Sequence, residues 1–191
     1  MVSVTKNKWD AVIDPEKLWE QYERIIKPNG AIILFGQDKF TAKMMLSNEK
    51  LHRYNIIWDK VLKSGFLNAN RMPMREHEDI MVFYKKQPVY NPQMVRGVPS
   101  HSKGKAAGEK AEDILNNRIY GSYKVVESRN DMKHPSSIWT FQKPHPSVAI
   151  SSTEKPIDLC RYIIRTYTNG GAVVLDNCCG SGSIPIAAKL E

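Results

Sequence analysis

Cysteine is scarce in this 191-residue sequence: two thiols are adjacent, at Cys178 and Cys179, and a third stands at Cys160. Three thiols cannot build a disulfide framework, and no Cys/His spacing suits a structural zinc, so reduced thiols are expected. Long apolar runs are missing too. No stretch approaches the roughly 20 residues that a membrane helix needs, and residues 1–9 have no apolar core of the kind a secretory signal carries. Neither a membrane span nor export is expected, which leaves the cytoplasm as the expected location. Acidic residues are in deficit, with 20 Asp and Glu against 28 Lys and Arg, giving a formal charge of +8 and a pI near 9.3. Such an excess points to a polyanionic partner, although composition alone does not separate DNA from RNA or from an acidic protein.

What is present is the composition of a globular protein, with 41% hydrophobic and 25% charged residues. The length suits one α/β domain with a sizeable core, or one such domain carrying a long inserted segment. Asp14-Pro15 is a good helix start, because Asp caps free amides and Pro is harmless in the first turn. Leu18, Tyr22, Ile25 and Ile26 then share a helical face, and Lys27-Pro28-Asn29-Gly30 ends the helix. Ala31-Ile32-Ile33-Leu34-Phe35 reads as a buried strand, followed by a helix over residues 39–49 and strands at 54–58 and 80–84. This alternation predicts a mostly parallel sheet covered by helices. Trp58 is expected in the core, and the His77-Glu78 pair as a solvated pair or a loop hydrogen bond.

From residue 85 to 146 Pro, Gly, Ser, Asn and basic residues dominate, which marks an insertion or mobile lobe. Between Lys85 and His145 there are 11 Lys or Arg against 5 Asp or Glu, so about a third of the chain carries most of the charge excess. That concentration favours a contact surface over general solubility. Regular structure is expected again over residues 156–168, where Ile157, Cys160, Ile163, Ile164 and Tyr167 line one face. A second buried strand, Ala172-Val173-Val174-Leu175-Asp176, runs into Cys178-Cys179-Gly180-Ser181-Gly182-Ser183 and a short apolar helix.

A strand ending in Asp, a Gly-x-Gly turn and a helix together bring backbone close to a ligand at the sheet's carboxyl edge. By itself the turn could also be a plain strand-to-helix connection with no ligand. It is not the dinucleotide pattern, since Ile184 and Pro185 follow where a third glycine belongs. Cys178 and Cys179 read as small buried residues rather than reactive groups.

Thr153-Glu154-Lys155-Pro156, the helix after it, and Val174-Leu175-Asp176-Asn177-Cys178-Cys179-Gly180-Ser181-Gly182-Ser183 resemble the cofactor half of the β-class amino (adenine-N6 and cytosine-N4) DNA methyltransferases. Trp19 through Gly36, Trp58-Asp59-Lys60 and Arg71 through Tyr84 resemble their catalytic half in the same order, so nearly the whole chain is covered. The resemblance implies a Rossmann-like α/β fold dependent on S-adenosylmethionine. It places a catalytic half at 1–84, a basic target-recognition region at 85–146 and a cofactor segment at 147–191. Lys155 and Pro156 would lie beside the cofactor, and Asp176, Cys178, Gly180, Ser181 and Gly182 would wrap its methionine end. Cys178 stands where the family usually has Phe, and residues 147–152 separate His145-Pro146 from Thr153. Lys103, Lys105, Lys110, Arg118 and Lys124 would contact DNA phosphates.

That family uses Asp, Asn or Ser followed by Pro-Pro and an aromatic residue to hold the target amine, the aromatic stacking on a flipped base. The segment normally sits just before the Val-Thr-Lys-Asn-Lys-Trp-Asp stretch found here at Val4 to Asp10. Only Met1-Val2-Ser3 precede it, and no Pro-Pro pair occurs anywhere. The acidic residue that receives the ribose hydroxyls would lie beyond Glu191. An incomplete fold is therefore expected, with no catalytic residue assigned and weak or no turnover by this chain alone. The expected setting is bacterial or phage-encoded, with adenine-N6 as the favoured target, double-stranded DNA as partner, and a complementary fragment or second copy as a further one. A DNA-binding pseudoenzyme and an NAD-binding oxidoreductase fragment are the other readings.

Overall fold

Asp14 opens the first helix as its chemistry requires: its Oδ1 accepts the Glu16 amide at 3.0 Å, with Pro15 in the first helical position. The helix, α1 (Pro15–Ile25), turns Trp19 fully inward and packs Leu18, Tyr22 and Ile26 against the core. Ile25, expected on that face, is instead 45% exposed, because Trp19 centres the buried stripe one position away from it. The computed structural model describes residues 13–97, 131–151 and 153–191. After α1 come β1 (Ile32–Gly36), α2 (Asp38–Ser47), β2 (His52–Ser64), a 3-10 turn at Phe66–Asn68, and β3 (Arg75–Phe83). The short strands β4 (Val95–Arg96) and β5 (Met132–Lys133) precede β6 (Ile138–Thr140), α3 (Ile157–Tyr167) and α4 (Ser183–Leu190). Among the described residues no helix is long and apolar enough to cross a membrane.

The chain clusters into two units, Met1–Asn91 with Ser136–Glu191 and, separately, Pro92–Pro135. In the second, β4 and β5 pair antiparallel, Val95 opposite Lys133 and Arg96 opposite Met132. The first holds a four-stranded sheet in the order β1-β3-β2-β6. Its pairings correct the expectation of a mostly parallel sheet: β1–β3 and β2–β3 are antiparallel, and only β2–β6 is parallel. The reason lies in the connections. A helix links β1 to β2, which therefore run in the same direction, but only residues 65–74 link β2 to β3, too few for a crossover, so β3 folds straight back. It inserts between β1 and β2.

This central position explains the apolar run in β3. Ile80 and Val82 face one core with Ile56, Trp58 and Trp139, covered by Leu159, Ile163 and Tyr167 of α3. Met81 and Phe83 face the other with Trp19, Ile32, Met44 and Leu51, covered by α1 and α2. Period-2 alternation with both faces buried yields an unbroken hydrophobic string. Ile157, expected inward, lies half exposed at the first turn of α3, whereas Cys160, Ile163, Ile164 and Tyr167 are buried as expected.

One expected strand does not form. Ala172-Val173-Val174-Leu175-Asp176 pairs with no described strand, and Val173 is 89% exposed. Apolar content specifies a strand only where a neighbouring edge accepts its backbone hydrogen bonds, and none of the described strands lies alongside this run.

Candidate cofactor site

The loop after residues 172–176 is held in shape by its own polar groups. Asp176 Oδ1 accepts the Cys178 amide at 3.0 Å, and the Gly182 amide donates to the Cys179 carbonyl at 2.7 Å. Gly180 and Gly182 have φ of 50° and 84°, left-handed values that disfavour residues bearing a Cβ. An added Cβ at either would meet no atom closer than 3.9 Å, so these glycines answer to backbone conformation and leave the loop's surface open to close approach. Gly182 leads into α4 with no side-chain cap. Tyr22 of α1 donates its hydroxyl to Asn177 Oδ1 at 3.2 Å, tying the loop to the first helix.

Cys178 and Cys179 are exposed, which corrects the expectation that they are buried: the left-handed glycines after them turn the loop outward instead of into the core. Cys160 differs. It packs in α3 against Ile164 and Ala187 of α4, and burial pushes its thiol up to about 11, opposed by the charge of Lys155 and reinforced by that of Asp176. At about pH 8, alkylation of the folded protein should label Cys178 and Cys179 and spare Cys160 until denaturant is added. Peptide mapping that found Cys160 modified under native conditions would contradict this packing.

Lys155 and Pro156 stand immediately before α3, with Pro156 buried at the helix start. Lys155 Nζ donates to the Thr153 carbonyl at 3.1 Å, lies 3.3 Å from Glu78 Oε2, and sits 5.1 Å over the Phe35 ring and 5.6 Å over Trp58. Glu78 Oε1 is in turn 3.4 Å from Lys60 Nζ. Burial lowers the pKa of both lysines, and the Glu78 charge opposes that fall. Glu78 is thus no solvated residue: β3 carries it into the interior while the side chain of its neighbour His77 is exposed. A carboxylate inside a strand that reads Glu-His-Glu-Asp has no periodic signature of burial, and only the lysines it meets reveal it.

Asp176, Cys178, Gly180, Ser181 and Gly182 therefore belong to one open loop. Lys103, Lys105, Lys110, Arg118 and Lys124 lie outside the described residues, as do Val4 to Asp10. A shallow surface cavity between α2 and β3, lined by Asp38, Thr41, His77 and Asp79 among others, involves none of the residues expected to hold the cofactor.

A helix-covered mixed sheet, with a glycine turn leading into α4, defines an α/β protein. More specifically, the family profile described as "DNA methylase" matches residues 5–191, and the chain belongs to that family. It is 26% identical over 184 residues to the type II methyltransferase M.HpaI of Haemophilus parainfluenzae, covering 89% of this chain and 49% of that protein. The chain thus spans about half the length of this relative. Among solved structures, an M1.HpyAVI–SAM complex superposes with a TM-score of 0.59 at 19% identity, covering 97% of this chain and 72% of the other. M1.HpyAVI alone gives 0.57 at 18% identity, over 91% and 69%. These likenesses show the methyltransferase fold.

Proposed function

We propose that this chain binds S-adenosylmethionine and double-stranded DNA as part of a site-specific DNA methyltransferase, with adenine-N6 favoured over cytosine-N4, acting on a base turned out of the duplex. The observation that carries this reading is the open Asp176-to-Ser183 turn, with its two left-handed glycines, in a chain of the DNA methylase family. S-adenosylmethionine supplies a methyl group on a sulfonium. The residues present fit such a ligand: Gly180 and Gly182 admit its backbone-close approach, Asp176, Cys178 and Ser181 belong to the turn, and Lys155 and Pro156, ahead of α3, would lie beside it. The SAM complex of M1.HpyAVI supports the choice of cofactor. In this reading residues 1–84 form the catalytic half, 85–146 recognise the target and 147–191 hold the cofactor. The setting is the bacterial cytoplasm, with the protein encoded by the bacterium or by a phage, and a complementary fragment or a second copy is a further partner.

These 191 residues hold no Pro-Pro pair, the usual source of acceptors for the target amine. Without acceptors placed where positive charge develops on the amine, the barrier to transfer stays high. This favours a second reading, in which the polypeptide by itself binds DNA and cofactor without modifying DNA. Calorimetry with S-adenosylmethionine, followed by transfer of labelled methyl groups to unmethylated DNA, tests both. Saturable cofactor binding with background transfer is expected. Transfer above background would defeat the binding-only reading, and binding of NAD without S-adenosylmethionine would defeat the cofactor assignment.

A further inference from the structure

Glu78 stands outside the motifs that mark the loop, yet it divides one buried carboxylate between two halves of the chain. Its Oε1 faces Lys60 of β2 at 3.4 Å, and its Oε2 faces Lys155, ahead of α3, at 3.3 Å. All three side chains are buried or nearly so, at 4% exposure for Lys60, 10% for Glu78 and 12% for Lys155. Oε2 makes no hydrogen bond of ordinary geometry, so the charge of Lys155 is what compensates its burial. Lys155 cannot turn to water without abandoning that oxygen, the Thr153 carbonyl and two aromatic faces. Its backbone leads directly into α3, which has no side-chain cap of its own. Through Cys160 and Ile164, α3 packs on Ala187 of α4, the helix that the glycine loop opens.

We propose that Glu78 is a positioning residue: by holding Lys155 it fixes residues 153–156 against the sheet and, through α3 and α4, sets the place of the glycine loop. Its consequence for the cofactor rests on the function proposed above. Stability alone does not require such a cluster, since well-packed apolar side chains would serve as well or better. A shared carboxylate does fix geometry, because each cation must meet a particular oxygen. The exposed pair Lys63–Glu76, two residues along the same ladder, provides an internal comparison.

The charged groups bearing on the two ammonium groups are Glu78, Lys143, Arg75 and the lysines themselves, with the Cys160 thiol near Lys155. Cations outnumber the single acid, so Glu78→Gln leaves like charges buried together. Both lysines already sit below their ordinary pKa, and losing the carboxylate lowers them further. A lysine with a depressed folded pKa destabilises the fold fully below that pKa, and the penalty fades as pH rises towards its unfolded value. The Tm deficit of Glu78→Gln relative to the wild type should therefore shrink as pH rises towards the ordinary lysine value of about 10.4.

The decisive comparison uses the 191-residue chain with Glu78→Gln, the double variant Glu78→Gln/Lys155→Met, and Glu76→Gln as control. In Glu78→Gln, amide exchange over residues 153–160 should rise about tenfold, and S-adenosylmethionine Kd should weaken about tenfold. The double variant removes one of the two orphaned cations, leaves Lys60 without its carboxylate, and keeps an apolar stem on the aromatic rings. It should recover part of the Tm deficit, while exchange over residues 153–160 stays altered. Recovery of exchange together with Tm would show a merely structural charge pair and overturn the proposal, as would wild-type exchange in Glu78→Gln. If the wild type bound no S-adenosylmethionine, the function reading would fail, and the exchange data would still decide the role of Glu78.

Discussion

Trp58→Ala is expected to cost about 3–5 kcal/mol of unfolding free energy, a large part of the roughly 5–15 kcal/mol that holds an ordinary domain together. The indole is completely buried in the core between the sheet and α3. Its ring and that of Phe35 are T-shaped with centroids 6.2 Å apart, and its Nε1 donates to the Phe141 carbonyl at 2.8 Å. Alanine would leave a cavity, an unpaired carbonyl beside β6, and Lys155 with one aromatic face in place of two. These losses fall on one site, so the upper part of the range is expected. Urea unfolding read by circular dichroism measures it, with Leu67→Ala as reference, because that side chain is exposed and should change stability by about 0.5 kcal/mol or less. A cost for Trp58→Ala no larger than that of the reference would mean that the core is not packed as described.

The features of this fold that could be read from the sequence are those fixed by local chemistry. Asp14-Pro15 and the glycines after Asp176 behave as their side chains dictate, because a cap needs only an oxygen two residues away and a left-handed turn only the absence of a Cβ. The run Ile80-Met81-Val82-Phe83 announces a strand buried on both faces, but not which strands flank it or in what direction, since those depend on the length of the 65–74 connection. Trp139 joins the core from a stretch whose composition reads as irregular, because three residues of β6 are too few to show a period. Glu78 was illegible for another reason. A carboxylate's burial is decided by partners 18 and 77 positions away, Lys60 and Lys155, and no spacing rule links them. At the candidate site, the loop was therefore visible in the sequence, while the charged cluster that holds its neighbouring segment was not.

Exchanging Lys103, Lys105, Lys110, Arg118 and Lys124 together for Gln should remove most of the salt dependence of DNA binding. Each phosphate contact contributes a slope of about −0.9 in log K against log salt, so five contacts would flatten it by about 4–5. The loss in affinity should be largest at low salt, reaching several orders of magnitude, and should shrink as salt rises, because released counterions contribute less when the solution already holds many. Fluorescence anisotropy with a short duplex, titrated at several salt concentrations, gives the slope directly. The slope discriminates where a single Kd does not: a solvated lysine that meets no phosphate leaves it unchanged, however much the substitution alters affinity by other routes. Five single variants then sort the residues. A slope equal to the wild type's in the fivefold variant would remove these side chains from the DNA contact, and the positive charge that residues 85–146 concentrate would need another anionic partner.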